Sequence, residues 1–125
     1  MKRVILCLGL LLAAPLPAAE TVTAEVLLAR MAAGESLLVL DVRSADEYAA
    51  GHVPGAINVP HGELTPAHDA VRAWKERPVV VYCRSGRRSA IAIEALEKGG
   101  FSRVQHLEGD MLGWEAQQRE QVRRR

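Results

Sequence analysis

Pro78-Val79-Val80-Val81-Tyr82-Cys83-Arg84-Ser85-Gly86-Arg87-Arg88-Ser89 runs from an apolar segment straight into a loop rich in glycine and arginine. Val79 to Tyr82 is short, β-branched and without a polar residue, the pattern of a strand buried on both faces. A helical pattern begins at Ser89 and continues through Ala90, Ile91, Ile93, Ala95 and Leu96, until Gly99-Gly100 stops it. A strand, a thiol, a short loop and a helix in that order have a specific chemical use. Loop amides and the helix N-terminus turn the positive ends of their dipoles toward the thiol and favour its anion. Arg84, Arg87 and Arg88 add positive charge and anion-binding donors. Such a pocket suits a thiolate that attacks a small oxyanion and holds part of it covalently.

Working outward, a second buried-strand pattern, Leu37-Leu38-Val39-Leu40, ends in Asp41-Val42-Arg43. Ser44 then caps a short helix that carries Asp46 and Glu47 in its first turn. Upstream, Thr23 caps a helix from Ala24 to about Ala33, and Gly34 ends it. Gly51-His52-Val53-Pro54-Gly55 is a punctuated loop, and Ala56 to Val59 is a brief strand closed by Pro60. A helix is expected from about Ala67 to Lys75, a last strand from Ser102 to Leu107, and a closing helix from Gly109 to Gln118 carrying Leu112 and Trp114. Strands separated by helices imply parallel pairing and a sheet covered on both faces. Ligands of such sheets gather at the carboxyl ends of the strands, and both Asp41-Val42-Arg43 and the Cys83 loop lie at such ends.

The 125 residues have room for one domain. With 4% aromatic residues the core must rely on Val, Leu, Ile and Ala, and 25% charged residues of both signs are ordinary for a globular domain. The first segment reads as a cleaved export signal, residues 1–19, leaving a domain over 20–125. Lys2 and Arg3 precede an apolar stretch from Val4 to Ala14, which is shorter than the ~20 residues of a membrane-spanning helix. Loss of Lys2 and Arg3 leaves 14 basic against 15 acidic residues, so no overall basic character argues for nucleic acid. Of the two cysteines, Cys7 lies inside the apolar stretch and Cys83 remains. A lone thiol in an exported chain invites a reactive role. Arg123-Arg124-Arg125 reads as a frayed, solvated tail.

Two blocks carry a resemblance. The first is Leu40-Asp41-Val42-Arg43, then Glu47, then Gly51-His52-Val53-Pro54-Gly55-Ala56-Ile57-Asn58-Val59-Pro60. The second is Val80 to Ser89, continuing to Gly100-Phe101, Val104, Leu107, Gly109 and Trp114. Together they make the chain resemble a single-domain rhodanese, the thiosulfate sulfurtransferase fold, of the small exported bacterial type. The resemblance implies one α/β domain, a central parallel sheet of about five short strands flanked by helices on both faces. It also implies a double-displacement cycle without metal or organic cofactor. Cys83 would take a sulfane sulfur and become a persulfide, and the amides from Arg84 through Ser85, Gly86, Arg87 and Arg88 to Ser89 would cradle it. Arg84, Arg87 and Arg88 would draw in a dianionic donor such as thiosulfate and steady the leaving sulfite. A thiol or cyanide would then remove the sulfur. A periplasmic location and a monomer go with this reading. One position departs from the family: Asp110 stands where a second glycine often follows Gly109, which bears on the local turn and the charge at the pocket rim.

Loop length separates sulfur transfer from its neighbours. With Cys83 first, Arg88 is sixth and Ser89 seventh, whereas related phosphatases and arsenate reductases use a loop one residue longer with arginine seventh. A partner-dependent sulfur carrier uses the same residues as the enzyme and stays open as an alternative. Asp41 and Arg43 are expected to support the site from behind, Asp41 by accepting loop amides and Arg43 by pairing with Glu47. His52 is expected to fix its turn by a hydrogen bond, and Trp114 to pack in the core or at the rim. His61, His68 and His106 have no metal-ligand spacing and receive no role.

Overall fold

The computed structural model describes residues 19–124; the export-signal reading of residues 1–19 falls almost wholly outside them. Five strands form one parallel sheet: β1 (Glu20–Val22), β2 (Leu38–Asp41), β3 (Ile57–Asn58), β4 (Val79–Tyr82) and β5 (Val104–Leu107), in the spatial order β1-β5-β4-β2-β3. Four helices connect or follow them: α1 (Ala24–Ala32), α2 (Ala45–Ala50), α3 (Arg87–Lys98) and α4 (Asp110–Ala116). The apolar runs of β2 and β4 lie at the centre of the sheet and are buried at every position. Their alternation builds two cores. Leu38, Leu40, Val79 and Val81 face Ile93 and Leu96 of α3, while Val39, Val80 and Tyr82 face Leu27 of α1 and Met111 and Trp114 of α4. Each fully buried Leu or Val among them contributes roughly 1.5–3 kcal/mol.

The helix starts follow local chemistry. Thr23 Oγ1 accepts the Val26 amide at 3.1 Å. Ser44 and Glu47 form a reciprocal capping box at α2. Three elements differ from the sequence expectation. The helix expected over residues 67–75 is only a single 3-10 turn, Arg72–Trp74. His68 Nδ1 takes the Ala70 amide at 3.0 Å, and only Val71 of the segment is fully buried, so no apolar stripe draws a longer helix onto the sheet. β1, unforeseen, is a three-residue edge strand with one buried side chain, Val22. The helix after Cys83 begins two residues early, at Arg87, because Gly86 caps it with φ 113°, a conformation suited to glycine.

The segment that ends in Val122, Arg123 and Arg124 is docked through its backbone rather than frayed; Arg125 lies outside the described residues. His52 and Val122 exchange backbone hydrogen bonds of 2.9 Å each, and the Arg124 amide donates to the Ala49 carbonyl at 3.0 Å. His52 also fixes its own turn as expected: Nδ1–H donates to the Tyr48 carbonyl at 2.8 Å, and the ring stacks on Tyr48. Trp114 is a core residue, 1% exposed, with its indole N–H donated to the Glu120 carbonyl.

Candidate active site

β4 delivers Cys83 to the carboxyl end of the sheet, and the four residues 83–86 join it to α3. The thiol sulfur accepts the Gly86 amide at 3.0 Å, and the residue is 1% exposed. The first backbone bond of α3 is Ala90 N–H to the Gly86 carbonyl, at 3.0 Å. The amides of Arg87, Arg88 and Ser89 therefore have no partner within the helix; they form the N-terminal turn that directly follows the thiol's loop, where the helix dipole is positive. Negative charge on sulfur, or on an atom bound to it, is what this arrangement stabilises.

The loop is held from the other side by α4. The Met111 amide donates to the Cys83 carbonyl at 2.9 Å and the Leu112 amide to the Arg84 carbonyl at 3.1 Å. Asp110 goes further than the turn its sequence position suggested. It is 2% exposed, so it is not at the rim. Its Oδ1 accepts the Cys83 amide, the Ser89 hydroxyl and His106 Nε2–H, each at 2.9 Å. Burial alone would raise the pKa of this carboxyl, but His106 above all, then the Cys83 amide and the Ser89 hydroxyl, hold it below its usual value. Asp110 has φ 51°, a left-handed conformation that aspartate tolerates better than most residues. The network also engages the Ser89 side chain: its hydroxyl is buried against Asp110, which leaves the backbone amide, the group expected to cradle the sulfur, for an anion.

The end of β2 is built differently. Arg43 does not pair with Glu47. Its guanidinium donates to Asp41, with Nη2 to Oδ2 at 2.7 Å, and to the Gly51 carbonyl at 2.7 Å. Asp41 Oδ1 also accepts the Arg43 amide at 2.9 Å, and Asn58 Nδ2 donates to the Asp41 and Arg43 carbonyls. Burial would lower the pKa of the Arg43 guanidinium, but the Asp41 carboxylate outweighs it and the net direction is up. Arg43 lies over the Tyr82 ring, 5.6 Å from its centroid, one residue before Cys83. Burial first, and the Asp41 charge second, keep the Tyr82 phenol un-ionised, and its oxygen accepts the Val53 amide at 3.1 Å.

Glu47 instead takes Arg88, whose Nη1 and Nη2 donate to the two carboxylate oxygens at 2.6 and 3.0 Å. Both side chains are about a quarter to a third exposed, so the pair contributes only about 0–1 kcal/mol to stability. Arg84 and Arg87 are exposed, and their guanidinium groups have no hydrogen-bond or ion-pair partner among the described residues. Also among the described residues, no three His, Cys, Asp or Glu side chains converge as metal ligands would.

A model of the family described as "Rhodanese-like domain" matches residues 23–117. The chain belongs to the rhodanese-like family. A sulfurtransferase of Allochromatium vinosum is 38% identical over 93 residues, which cover 74% of this chain and 85% of that protein. The probable adenylyltransferase/sulfurtransferase MoeZ of Mycobacterium tuberculosis is 33% identical over 98 residues, covering 78% of this chain. The rhodanese-like chain spans only a quarter of MoeZ. Among solved structures, the thiosulfate sulfurtransferase of Pseudomonas aeruginosa superposes with a TM-score of 0.76 at 27% identity, over 86% of this chain and 21% of that one.

Within this rhodanese-like domain the structure adds three residues to the Cys83 loop that sequence reasoning missed. Asp110 was visible only as a missing glycine, and His106 lacked a metal-ligand spacing. Glu47 was assigned to the nearer arginine. The Ser44-x-x-Glu47 spacing placed Glu47 on α2, but nothing local announces a partner 41 residues away.

Proposed function

We propose that this chain is a sulfurtransferase in which Cys83 carries the transferred sulfur as a persulfide. The observation that carries the reading is the thiol at the end of β4, bonded by the Gly86 amide in a four-residue loop that leads directly into α3, whose first-turn amides have no partner within the helix. The Cys83 thiolate attacks the outer sulfur of an anionic donor, for which we take thiosulfate. A new S–S bond forms at Cys83 as the donor's S–S bond breaks, and sulfite leaves with the electron pair. The loop amides and the uncommitted Arg84 and Arg87 meet the negative charge on donor and leaving group. Cyanide or a thiolate then attacks the outer sulfur of the persulfide, and Cys83 leaves as thiolate.

Loop size supports a sulfur atom over a phosphate. Four residues separate β4 from α3, and Asp110 fixes the Cys83 amide from beneath, so the cradle is small and anchored at both ends. Export to the periplasm, by a signal read in residues 1–19, belongs to the same proposal, as do a monomer and the absence of any cofactor from the cycle. Thiocyanate formation from thiosulfate and cyanide is the test. The full chain forms it and Cys83→Ser does not. Failure to form thiocyanate, together with Cys83-dependent hydrolysis of an aryl phosphate, would replace sulfur transfer by phosphatase chemistry. Transfer seen only on adding one acceptor protein would make the chain a carrier.

A further inference from the structure

The three arginines after Cys83 are not equivalent. Arg84 and Arg87 stand free of ion pairs among the described residues, whereas the Arg88 guanidinium is forked onto Glu47 at 2.6 and 3.0 Å. Glu47 is itself held in place, since the Ser44 amide and hydroxyl donate to its Oε1 at 3.2 and 3.1 Å. The carboxylate thus comes from α2 in one orientation and meets the loop at its sixth residue. Arg88 foremost, then the Ser44 amide and hydroxyl, draw the Glu47 pKa down to about 2, so it is charged at any working pH. The Arg88 guanidinium is held charged above all by Glu47, and it stands in the first turn of α3, which follows the Cys83 loop.

We propose that Glu47 is a specificity-determining residue that sets how much donor charge the Cys83 site rewards. By neutralising Arg88 it leaves two uncommitted arginines at the mouth instead of three. Coulomb attraction scales with the charge on the donor. An added carboxylate therefore penalises a dianion such as thiosulfate about twice as much as a monoanionic persulfide. The selectivity follows: the site accepts persulfide donors, R–S–S⁻, alongside oxyanions. With such a donor, the Cys83 thiolate forms an S–S bond to the outer sulfur and the thiolate R–S⁻ departs with the electrons of the broken bond. This role for Glu47 rests on the sulfur-transfer reading given above.

Glu47→Gln tests it, because glutamine also serves a capping box and can still accept from Arg88 without charge. Rates are measured for the full chain with cyanide as acceptor, and either thiosulfate or the persulfide of 2-mercaptoethanol as donor. At low ionic strength the KM for thiosulfate falls about three- to tenfold in E47Q, that for the persulfide by only the square root of that factor, about two- to threefold, and the difference closes at high salt. Equal shifts for both donors, or none, overturn the assignment. A second variant separates Glu47's charge from donor contact by Arg88. Arg88→Ala raises the KM for thiosulfate by exposing an unpaired Glu47, and adding Glu47→Gln to it restores the KM to within about twofold of the parent. If the double variant stays as impaired as R88A, Arg88 touches the donor directly and the assignment fails. A parent protein that moves sulfur from neither donor refutes the underlying reading instead, a result distinct from both.

Discussion

The ends of β2 and β4 are neighbours in one parallel sheet, and each carries an acid, an arginine and a helix start. At β2 every strong group is used internally. The Asp41 carboxylate and the Arg43 guanidinium satisfy each other, the Gly51 carbonyl takes another donor, and Ser44 closes a capping box with Glu47. At β4 the carbonyls of Cys83 and Arg84 are bonded by α4 and the Cys83 amide by Asp110, yet the amides of α3's first turn and the guanidinium groups of Arg84 and Arg87 remain without partners among the described residues. One strand end is closed and the other is braced from below and open above. A site that binds anions needs the second arrangement, because donors already satisfied have nothing to offer a ligand. The two ends meet in the Glu47–Arg88 pair, through which the closed end reaches into the open one.

That contrast breaks most sharply at Asp41. Asp41→Ala leaves the Arg43 guanidinium buried without its carboxylate and destabilises the fold by about 3–5 kcal/mol. Chemical denaturation should show the loss, with sulfur transfer by the folded fraction little changed in kcat. Asp110→Ala should divide the other way. It strands the Cys83 amide, the Ser89 hydroxyl and the His106 donor, at a cost of about 1–3 kcal/mol. Because these groups anchor the reacting loop, kcat should fall by about tenfold or more at temperatures where the protein is folded. Loss of stability without a fall in kcat would show that Asp110 only packs. Gly86→Ala probes the open end itself. Its φ of 113° is costly for any Cβ, which would also stand 3.2 Å from Asp110 Oδ2, so about 1–3 kcal/mol of strain is expected, again with a weakened site.

The smallest effect is a pH dependence. Glu47 has a folded pKa of about 2 against an ordinary 4.5. Its ion pair stabilises the fold above pH 4.5, and that contribution fades as pH falls through about 2. The stability difference between the parent and E47Q should therefore shrink between pH 4.5 and 2 and be flat above. A difference that grows on acidification would mean that Glu47 is not ionised in the folded protein.

Much of this could be read from the chain before folding. The apolar runs of β2 and β4, the caps at Thr23 and Ser44 and the glycine stops follow from local rules, and they gave the parallel α/β layout. Cys83 and its loop were legible because strand, thiol, glycine and helix are contiguous. What was not legible depends on distant parts of the chain. The choice of Asp41 over Glu47 by Arg43, and of Arg88 by Glu47, is decided by which helix faces which strand end. Asp110 reaches the Cys83 loop only because α4 returns beneath it, 27 residues after the amide it accepts. The helix expected near Ala67 failed because its apolar residues are too few to hold it against the sheet, and β1 escaped notice because one buried Val22 leaves no periodic pattern.

The central claim is that the open end of β4 holds a sulfur atom on Cys83, and intact mass tests it most directly. After incubation with thiosulfate and removal of the reagent, the protein should gain one sulfur atom that cyanide removes, and Cys83→Ser should gain none. A folded protein with a titratable Cys83 thiol and no added sulfur would contradict the account.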